Sequence, residues 1–178
     1  GQICRFVVAK TADLLGCDRA SVMLLDPAKG ALRIAAEIGL PERVARETIV
    51  MPGERISGRV FVSGESIMVG SGEPMPDGSL GEDAPADAPS FMSVPLTVPD
   101  EHGGAPRILG VINLTRKRGV VDFTHDDLRL IETVAAHTAA QIQNCHFVRA
   151  EQERQRLLQE MRIANEIHRT LLPAHPLK

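Results

Sequence analysis

The feature that most constrains this chain is a helical pattern that runs unbroken from Thr124 to Leu172, with Pro173 as the first residue that stops it. Thr124 is the predicted N-cap, and Asp127 at the third helical position completes a capping box. About 48 residues at ~1.5 Å each make a helix ~70 Å long. The usual radius-of-gyration scaling makes a domain of the preceding residues only ~35–40 Å across. The distal half therefore cannot lie on its own domain and needs a partner.

Composition limits the class of protein. The 178 residues suit one globular domain with an appendage. The formal charge of −3, with no basic stripe or acidic tail, argues against nucleic acid or an anionic membrane as the main partner. No apolar run approaches the ~20 residues that span a bilayer, and residues 1–10 do not resemble a signal peptide. We therefore expect a cytoplasmic protein with no membrane partner.

The residues before the long helix alternate between helical and strand patterns. An amphipathic helix runs from Ile3 to Leu15 and is stopped by Gly16. An antiparallel hairpin follows, formed by Ala20–Asp26 and Ala31–Ile38. The segment PERVARET then predicts a short helix, since its proline suits a first turn.

A second short helix and three more strands complete the predicted domain. Ser57 is predicted to cap this helix and Gly64 to end it. The strands are Ser66–Val69, Phe91–Val98 and Ile108–Thr115, and residues 70–90 form an exposed loop rich in Gly, Pro and acids. Pro95 inside its strand indicates an edge position or a bulge. This order predicts an α+β domain on an antiparallel sheet, with the helices of the two chain ends covering one face.

Four segments together resemble the GAF domain family. They are DLLGCDRASVMLLDPAKGALRIAAEIGLP, MPGERISGRVFVSGESIMV, FMSVPLTVPDEHGGAPRILGVINLTRKRG and VDFTHDDLRLIETVAAHTAAQIQN, and they cover about residues 3–147. The resemblance implies a sensory domain over residues 1–147 with a PAS-like antiparallel sheet and flanking helices. It also implies a small-molecule pocket between sheet and short helices, and dimers formed through terminal helices.

The resemblance also suggests which residues would form such a pocket. The expected walls come from the strands: Ile67, Val69, Phe91, Ser93, Val111 and Asn113. Arg55, Ile56 and the 70–90 loop would form a lid. Arg55 is a candidate contact for an anionic ligand, although a surface arginine is the commoner case. The identity of the ligand is left open.

The His, Asp and Cys residues of the sequence do not form a convincing catalytic or metal-binding pattern. His125-Asp126-Asp127 superficially resembles a metal-binding pair, but acids at a helix start are explained by capping and the helix dipole. Cys145 and His146 point about 100° apart on a helix and cannot chelate one metal well. The three cysteines are widely spaced, which suggests neither a disulfide framework nor a zinc site. We expect no catalytic residue, no metal and no required cofactor.

Several specialised kinds of GAF domain remain as alternatives. Relatives that bind cyclic nucleotides carry an Asn-Lys…Phe…Asp-Glu signature, whereas here Leu114 follows Asn113 and Leu128 replaces the Glu. Neither Cys17 nor Cys145 stands where bilin-binding relatives carry their cysteine, and His102 is a weak haem candidate. A methionine-sulfoxide reductase needs clustered cysteines, which this chain lacks.

The last stretch, LLQEMRIANEIHRTLLPAHP, resembles the opening of SpoIIE-type PPM serine/threonine phosphatases. The matching positions are Glu160, Ile163, Ala164, Ile167, Leu171, Leu172, Pro173 and Pro176, while His168 stands where the family usually has Gln. The resemblance implies that residues 148–178 are a linker and the start of a phosphatase domain beyond Lys178. Because the family's metal-binding aspartates lie further along, the fragment itself is expected not to be an enzyme.

The same stretch carries a coiled-coil pattern. Leu157, Met161, Ala164, His168 and Leu171 follow heptad spacing, and Ile167 widens the stripe. The preceding RAEQERQR, residues 149–156, offers almost nothing apolar, so its pairing is either weak or absent, as in a plain solvated helix. A weak segment beside a stronger one can act as a bistable element.

These observations predict a parallel homodimer formed through the long helix, with Ile3–Leu15 alongside. A signal at the pocket, from a small molecule or a partner, would change pairing and so regulate the attached phosphatase. The alternatives are a ligand- or cofactor-binding GAF sensor with another output, and a purely structural dimerisation module.

Overall fold

The structure, a computed structural model, describes residues 2–73, 89–100, 103–116 and 121–171, with side chains as far as His168. Most of the predicted 70–90 loop therefore lies outside the described residues. So do His102, the side chain of Leu171, and the phosphatase-like positions from Leu172 onward.

Six strands form one antiparallel sheet in the order β3-β2-β1-β6-β5-β4. The strands are β1 Cys17–Asp26, β2 Ala31–Ile38, β3 Ile49–Val50, β4 Ile67–Val69, β5 Phe91–Val98 and β6 Arg107–Arg116. The helices are α1 Gln2–Leu15, α2 Glu42–Glu47, α3 Arg55–Ser63 and α4 His125–Leu171. The predicted α+β class, the hairpin of β1 and β2, the other three predicted strands and all four helices are confirmed, while the two-residue β3 was missed.

Helix α1 ends as its sequence indicates. Gly16 adopts φ +60°, a left-handed conformation that terminates helices and favours glycine. The apolar stripe of the helix, which includes Cys4, Val8 and Leu15, is buried, and α1 packs on β1 and β2. Tertiary burial thus stabilises a helix whose outer face remains exposed.

Helix α3 begins three residues earlier than predicted. Its N-cap is Glu54, so Ser57 lies within the first turn, and the prediction that Ser57 caps the helix is wrong. The preceding turn explains the shift, because Glu54 N donates to the Met51 carbonyl at 3.0 Å and Gly53 N donates to the Gly58 carbonyl at 2.9 Å. The helix ends at Gly64 in a left-handed conformation, as predicted.

Helix α3 lies over one face of the sheet and closes a hydrophobic core there. The buried side chains of this core are Met23, Leu32, Val50, Ile56, Val60 and Val111. Gly58 permits the close approach, because a Cβ at this position would stand 2.3 Å from the Met51 carbonyl oxygen. The opposite face carries Val22, Ile112 and Val94, which neighbour one another across three strands and are buried.

Strand β5 has one partly unpaired edge. The short β4 pairs only with Phe91–Ser93, so from Val94 onward β5 has no neighbouring strand on that side among the described residues. Pro95 lies within this stretch, where a missing N–H is tolerated. A bulge follows between Leu96 and Thr97. The prediction that Pro95 marks an edge or a bulge is confirmed.

The capping box at the start of α4 is also confirmed. Asp127 N donates to Thr124 Oγ1 at 3.2 Å, and Thr124 N donates to Asp127 Oδ2 at 2.8 Å.

The chain divides into two compact units, residues 1–141 and 142–178. In the first unit α4 buries Ile131, Ala135 and Ala139.

Candidate functional site

A small pocket of about 160 Å³ opens where β1, β6, β5 and α3 meet. Its lining residues are Arg19, Ala20, Ser21, Leu40, Ser57, Phe91, Asn113 and Thr115. Sheet register accounts for this set, since Asn113 of β6 pairs with Ser21 on one side and with Ser93 on the other. The pocket therefore lies on the same sheet face as α3.

Asn113 is the centre of the hydrogen-bond network at this pocket. Its Oδ1 accepts a hydrogen bond from Ser57 Oγ at 3.1 Å and another from Ser93 Oγ at 2.8 Å. Ser93 is completely buried, so its hydroxyl depends on this acceptor. With the oxygen engaged twice, the remaining capacity of the amide is its two Nδ2 donors.

The size and lining of the pocket define what it can hold. A volume of 160 Å³ corresponds to roughly five water molecules at ~30 Å³ each, below the ~300–1,000 Å³ usual for drug-sized ligands. The polar residues of its lining are Arg19, Ser21, Ser57, Asn113 and Thr115. This combination suits a small polar or anionic solute.

The structure brings only some of the predicted pocket residues to this cavity. Phe91 and Asn113 line it, and Ser93 supports it through Asn113. Four others belong to the apolar interior: Ile56 and Val111 are in the core, Ile67 packs against it, and Val69 is buried. Arg55 is exposed and is not part of the lining. Its φ of +50° is the one positive value among the non-glycine residues of the described chain.

Sequence reasoning missed Arg19, Ser21, Leu40, Ser57 and Thr115. Thr115 follows Asn113 by two residues and so shares its sheet face, which strand alternation alone could have indicated. Arg19, Ser21 and Leu40 required the pairing of β1 with β6. Ser57 was assigned to a cap, which concealed its role.

A second, larger groove of about 420 Å³ lies beside the open edge of β5. Its lining residues are Gly64, Glu65, Ser66, Val94, Pro95, Thr97, Leu128, Glu132 and Ala136. Across it, Ser66 Oγ donates to Glu132 Oε1 at 2.7 Å, joining the segment after α3 to α4. Among the described residues that line the groove, two carry carboxylates and none is cationic, an arrangement that favours a negative local potential.

The thiols occupy three different environments. Cys4 is buried, Cys17 is half-buried and Cys145 is exposed. Burial raises the pKa of the Cys4 thiol above its ordinary value and disfavours the reactive thiolate. Within the described ranges, no three His, Cys, Asp or Glu side chains are grouped as metal ligands.

The second unit exposes the apolar positions of the predicted seam. Leu157, Met161 and Ile167 have relative exposures of 52%, 63% and 53%. Ala164 and His168 are exposed as well. A row of exposed apolar groups on one helix is typical of a surface that another chain covers.

Segment 149–156 is dominated by ion pairs within the helix. Arg154 makes two hydrogen bonds to Glu151, each at 3.0 Å, and Arg156 pairs with Glu160 at 3.0 Å. Hydrogen bonding from Arg154, and secondarily from Gln155, lowers the pKa of Glu151. Each of these contacts stabilises a single solvated helix without needing a second chain.

Comparison with known proteins identifies the first unit. The family model described as GAF domain matches residues 1–142. The GAF domain of a phosphoenolpyruvate-protein phosphotransferase from Coxiella burnetii is 22% identical with TM-score 0.67, covering 84% of this chain and 85% of that chain. The second GAF domain of DevS from Mycobacterium smegmatis is 19% identical with TM-score 0.65, covering 84% and 97%. No curated protein sequence matches the chain.

In the described residues, no helix combines the length and the apolar character needed to cross a membrane.

Proposed function

The chain belongs to the GAF domain family, and we propose that it senses a small polar solute beside Asn113 and passes the signal through α4 to an attached phosphatase. One observation carries the sensing part. Asn113 and Ser57 lie 56 positions apart in the sequence, and both line the pocket. Their hydrogen bond joins the sheet to α3, a helix of only nine residues. A solute that competes for this bond changes how α3 is held.

Charge and volume select the class of solute. Arg19 supplies the cationic group at the rim, while Ser57, Asn113 and Thr115 supply hydrogen-bonding groups. Nitrate, formate and acetate have the size and charge that these groups can bind. The Nδ2 donors of Asn113 and the hydroxyl groups would bind their oxygen atoms.

The proposed output is a parallel homodimer formed by α4. The exposed stripe of Leu157, Met161 and Ala164 supports it, because heptad spacing places these side chains on one face. On α1, Phe6 and Leu14 are both 65% exposed, and their eight-residue spacing puts them on one face too. These two surfaces are the proposed interface.

The proposed target is a SpoIIE-type phosphatase domain beyond Lys178. The segment LLQEMRIANEIHRTLLPAHP supports this proposal through its resemblance to the opening of such domains. Pairing in residues 142–171 would set the spacing of two phosphatase domains in the dimer. The fragment would then be regulatory and carry no catalysis of its own.

Titration followed by NMR tests the sensing proposal. Sodium nitrate, formate and acetate, with urea as an uncharged control, are added to ¹⁵N-labelled protein at constant ionic strength. We expect saturable shifts at the Asn113 side-chain amide and the Ser57 amide with an anion, and a loss of saturation in Arg19→Gln. Linear or absent shifts with every solute would contradict the proposal.

A structural dimerisation module without a ligand is the second candidate. The small size of the pocket favours it, because Ile56 and Val111 of the predicted pocket already fill the core. Under this alternative the titration gives no saturable shift, while the fragment still dimerises.

A further inference from the structure

Helix α3 contacts the candidate pocket through its first turn, and the segment that follows its last turn contacts α4. Ser57 in its first turn donates to Asn113 at the pocket. Its last residue, Ser63, is followed by the left-handed Gly64, and two positions later Ser66 donates to Glu132 of α4 at 2.7 Å. One short helix therefore lies between the candidate pocket and the segment that contacts the helix proposed to carry the output.

The connection passes around the open edge of β5. Ser93 faces α3, and Val94 points to the opposite face because side chains alternate along a strand. Leu128 and Glu132 of α4 line the groove that contains Val94. Since β4 begins where Ile67 pairs with Ser93, the preceding segment Gly64–Ser66 lies beside the part of β5 that has no partner strand on this side among the described residues, and it can reach α4 there.

The mechanical properties of α3 suit such a link. Gly58 sits against the Met51 carbonyl, and Val60 is completely buried, so the middle of the helix is held on the core. The Ser57–Asn113 bond also joins its first turn to β6, and the Ser66–Glu132 bond joins the segment after its last turn to α4. A displacement of α3 would therefore act on both hydrogen bonds.

We propose that α3 couples the pocket to α4. Ser66 and Glu132 are the positioning pair, because their hydrogen bond responds when the Ser57–Asn113 bond forms or breaks. This inference rests on the proposed sensing function and specifies how the signal leaves the pocket. When Ser57 is drawn from Asn113, α3 shifts and Ser66 loosens its hydrogen bond to Glu132. The groove of about 420 Å³ gives Glu132 room to reorient into water once it is released.

Hydrogen exchange on the ligand-free protein tests the coupling, and the chain supplies a matched control. Ser57 and Ser93 donate to the same atom of Asn113, but only Ser57 lies on α3. We expect Ser57→Ala to raise the amide exchange rates of residues 128–136 on the order of five-fold, because the loss of one hydrogen bond weakens their protection by about that factor. Ser66→Ala should raise it similarly.

Two comparisons decide the outcome. In the double variant Ser57→Ala/Ser66→Ala, exchange in residues 128–136 should equal that of Ser66→Ala alone, because the link is already cut. Ser93→Ala should raise exchange there no more than in the central strands β1 and β6, which report global stability. The proposal would be overturned if the increases in exchange caused by Ser57→Ala and Ser66→Ala multiplied in the double variant. It would also be overturned if Ser57→Ala and Ser93→Ala raised exchange in residues 128–136 equally.

Failure of this coupling is separable from failure of the sensing function. The exchange experiment contains no solute, whereas sensing is judged by the anion titration at Asn113. Saturable binding with no α4 response to Ser57→Ala would leave a sensor whose signal does not travel through α3.

Discussion

Ser57 Oγ donates to Asn113 Oδ1 at 3.1 Å, and this contact holds the first turn of α3 against the middle of β6. Ser93 donates to the same oxygen from β5 at 2.8 Å. A single amide thus organises a helix and two strands. Polar groups that meet in this way at the edge of an apolar core favour one arrangement of the surrounding elements.

Replacing Asn113 by Ala should destabilise the domain by about 1–3 kcal/mol, because the buried Ser93 hydroxyl loses its acceptor. Chemical denaturation would measure the change. Thr133→Ala is a suitable control, since the Thr133 hydroxyl donates to the Arg129 carbonyl on an exposed helix face, and its effect should stay within about 0.5 kcal/mol. An equal loss in both variants would mean that the Asn113 network is not special.

Gly58→Ala should destabilise the protein, although alanine normally stabilises a helix over glycine by about 1 kcal/mol. The new Cβ would stand 2.3 Å from the Met51 carbonyl oxygen and 3.1 Å from the Gly53 nitrogen, both backbone atoms that cannot rotate away. Thermal unfolding would show the sign. Gly53→Ala provides the comparison: no atom lies within 4 Å of its Cβ position, so only its φ of +86° opposes the change. A stabilised Gly58→Ala would show that α3 can lift from the turn.

Replacing Met161 and Ala164 together by Glu should weaken the proposed dimer, since both side chains are exposed on the seam. Light scattering at tens of micromolar protein would follow the mass, together with a chain truncated after Asn144. Gln159→Glu, on the outer face of the heptad, serves as control. Unchanged association in the double variant would mean that another surface pairs.

Acid should loosen the segment around Glu151. Its pKa is lowered in the folded helix, chiefly by the hydrogen bond from Arg154. A lowered folded pKa means that the stabilisation is complete above the unfolded pKa and disappears as the pH falls through the folded value. NMR titration of the Glu151 carboxyl carbon should show this low midpoint, and Arg154→Gln should raise it. A midpoint that does not move in this variant would contradict the assigned cause.

Element boundaries were predictable wherever local chemistry sets them. Gly16 and Gly64 end helices because glycine adopts positive φ without strain, and Thr124 begins one because its hydroxyl accepts from Asp127 N. These signals involve residues a few positions apart. Sequence alone therefore locates them well.

The candidate site was harder to predict because it depends on pairing across the sheet. Ile49–Val50 becomes a strand only because Leu32 and Arg33 are available as partners. Ser57 resembles a helix cap until the turn at Gly53 starts the helix earlier. Arg19 reaches the pocket because β1 lies next to β6. In each case a distant contact overrides the local preference.

From Val94 onward, β5 has no partner strand on one side among the described residues, and this also bears on the solubility of the domain. Exposed strand edges can recruit strands from other molecules and so start aggregation. Here an incoming strand would meet Pro95, which offers no backbone N–H, and then the bulge between Leu96 and Thr97, which breaks the regular ladder. Because β4 is short, Ser66 has room to reach Glu132, but the same shortness leaves the edge of β5 available as a template for fibrils. Pro95 protects this edge.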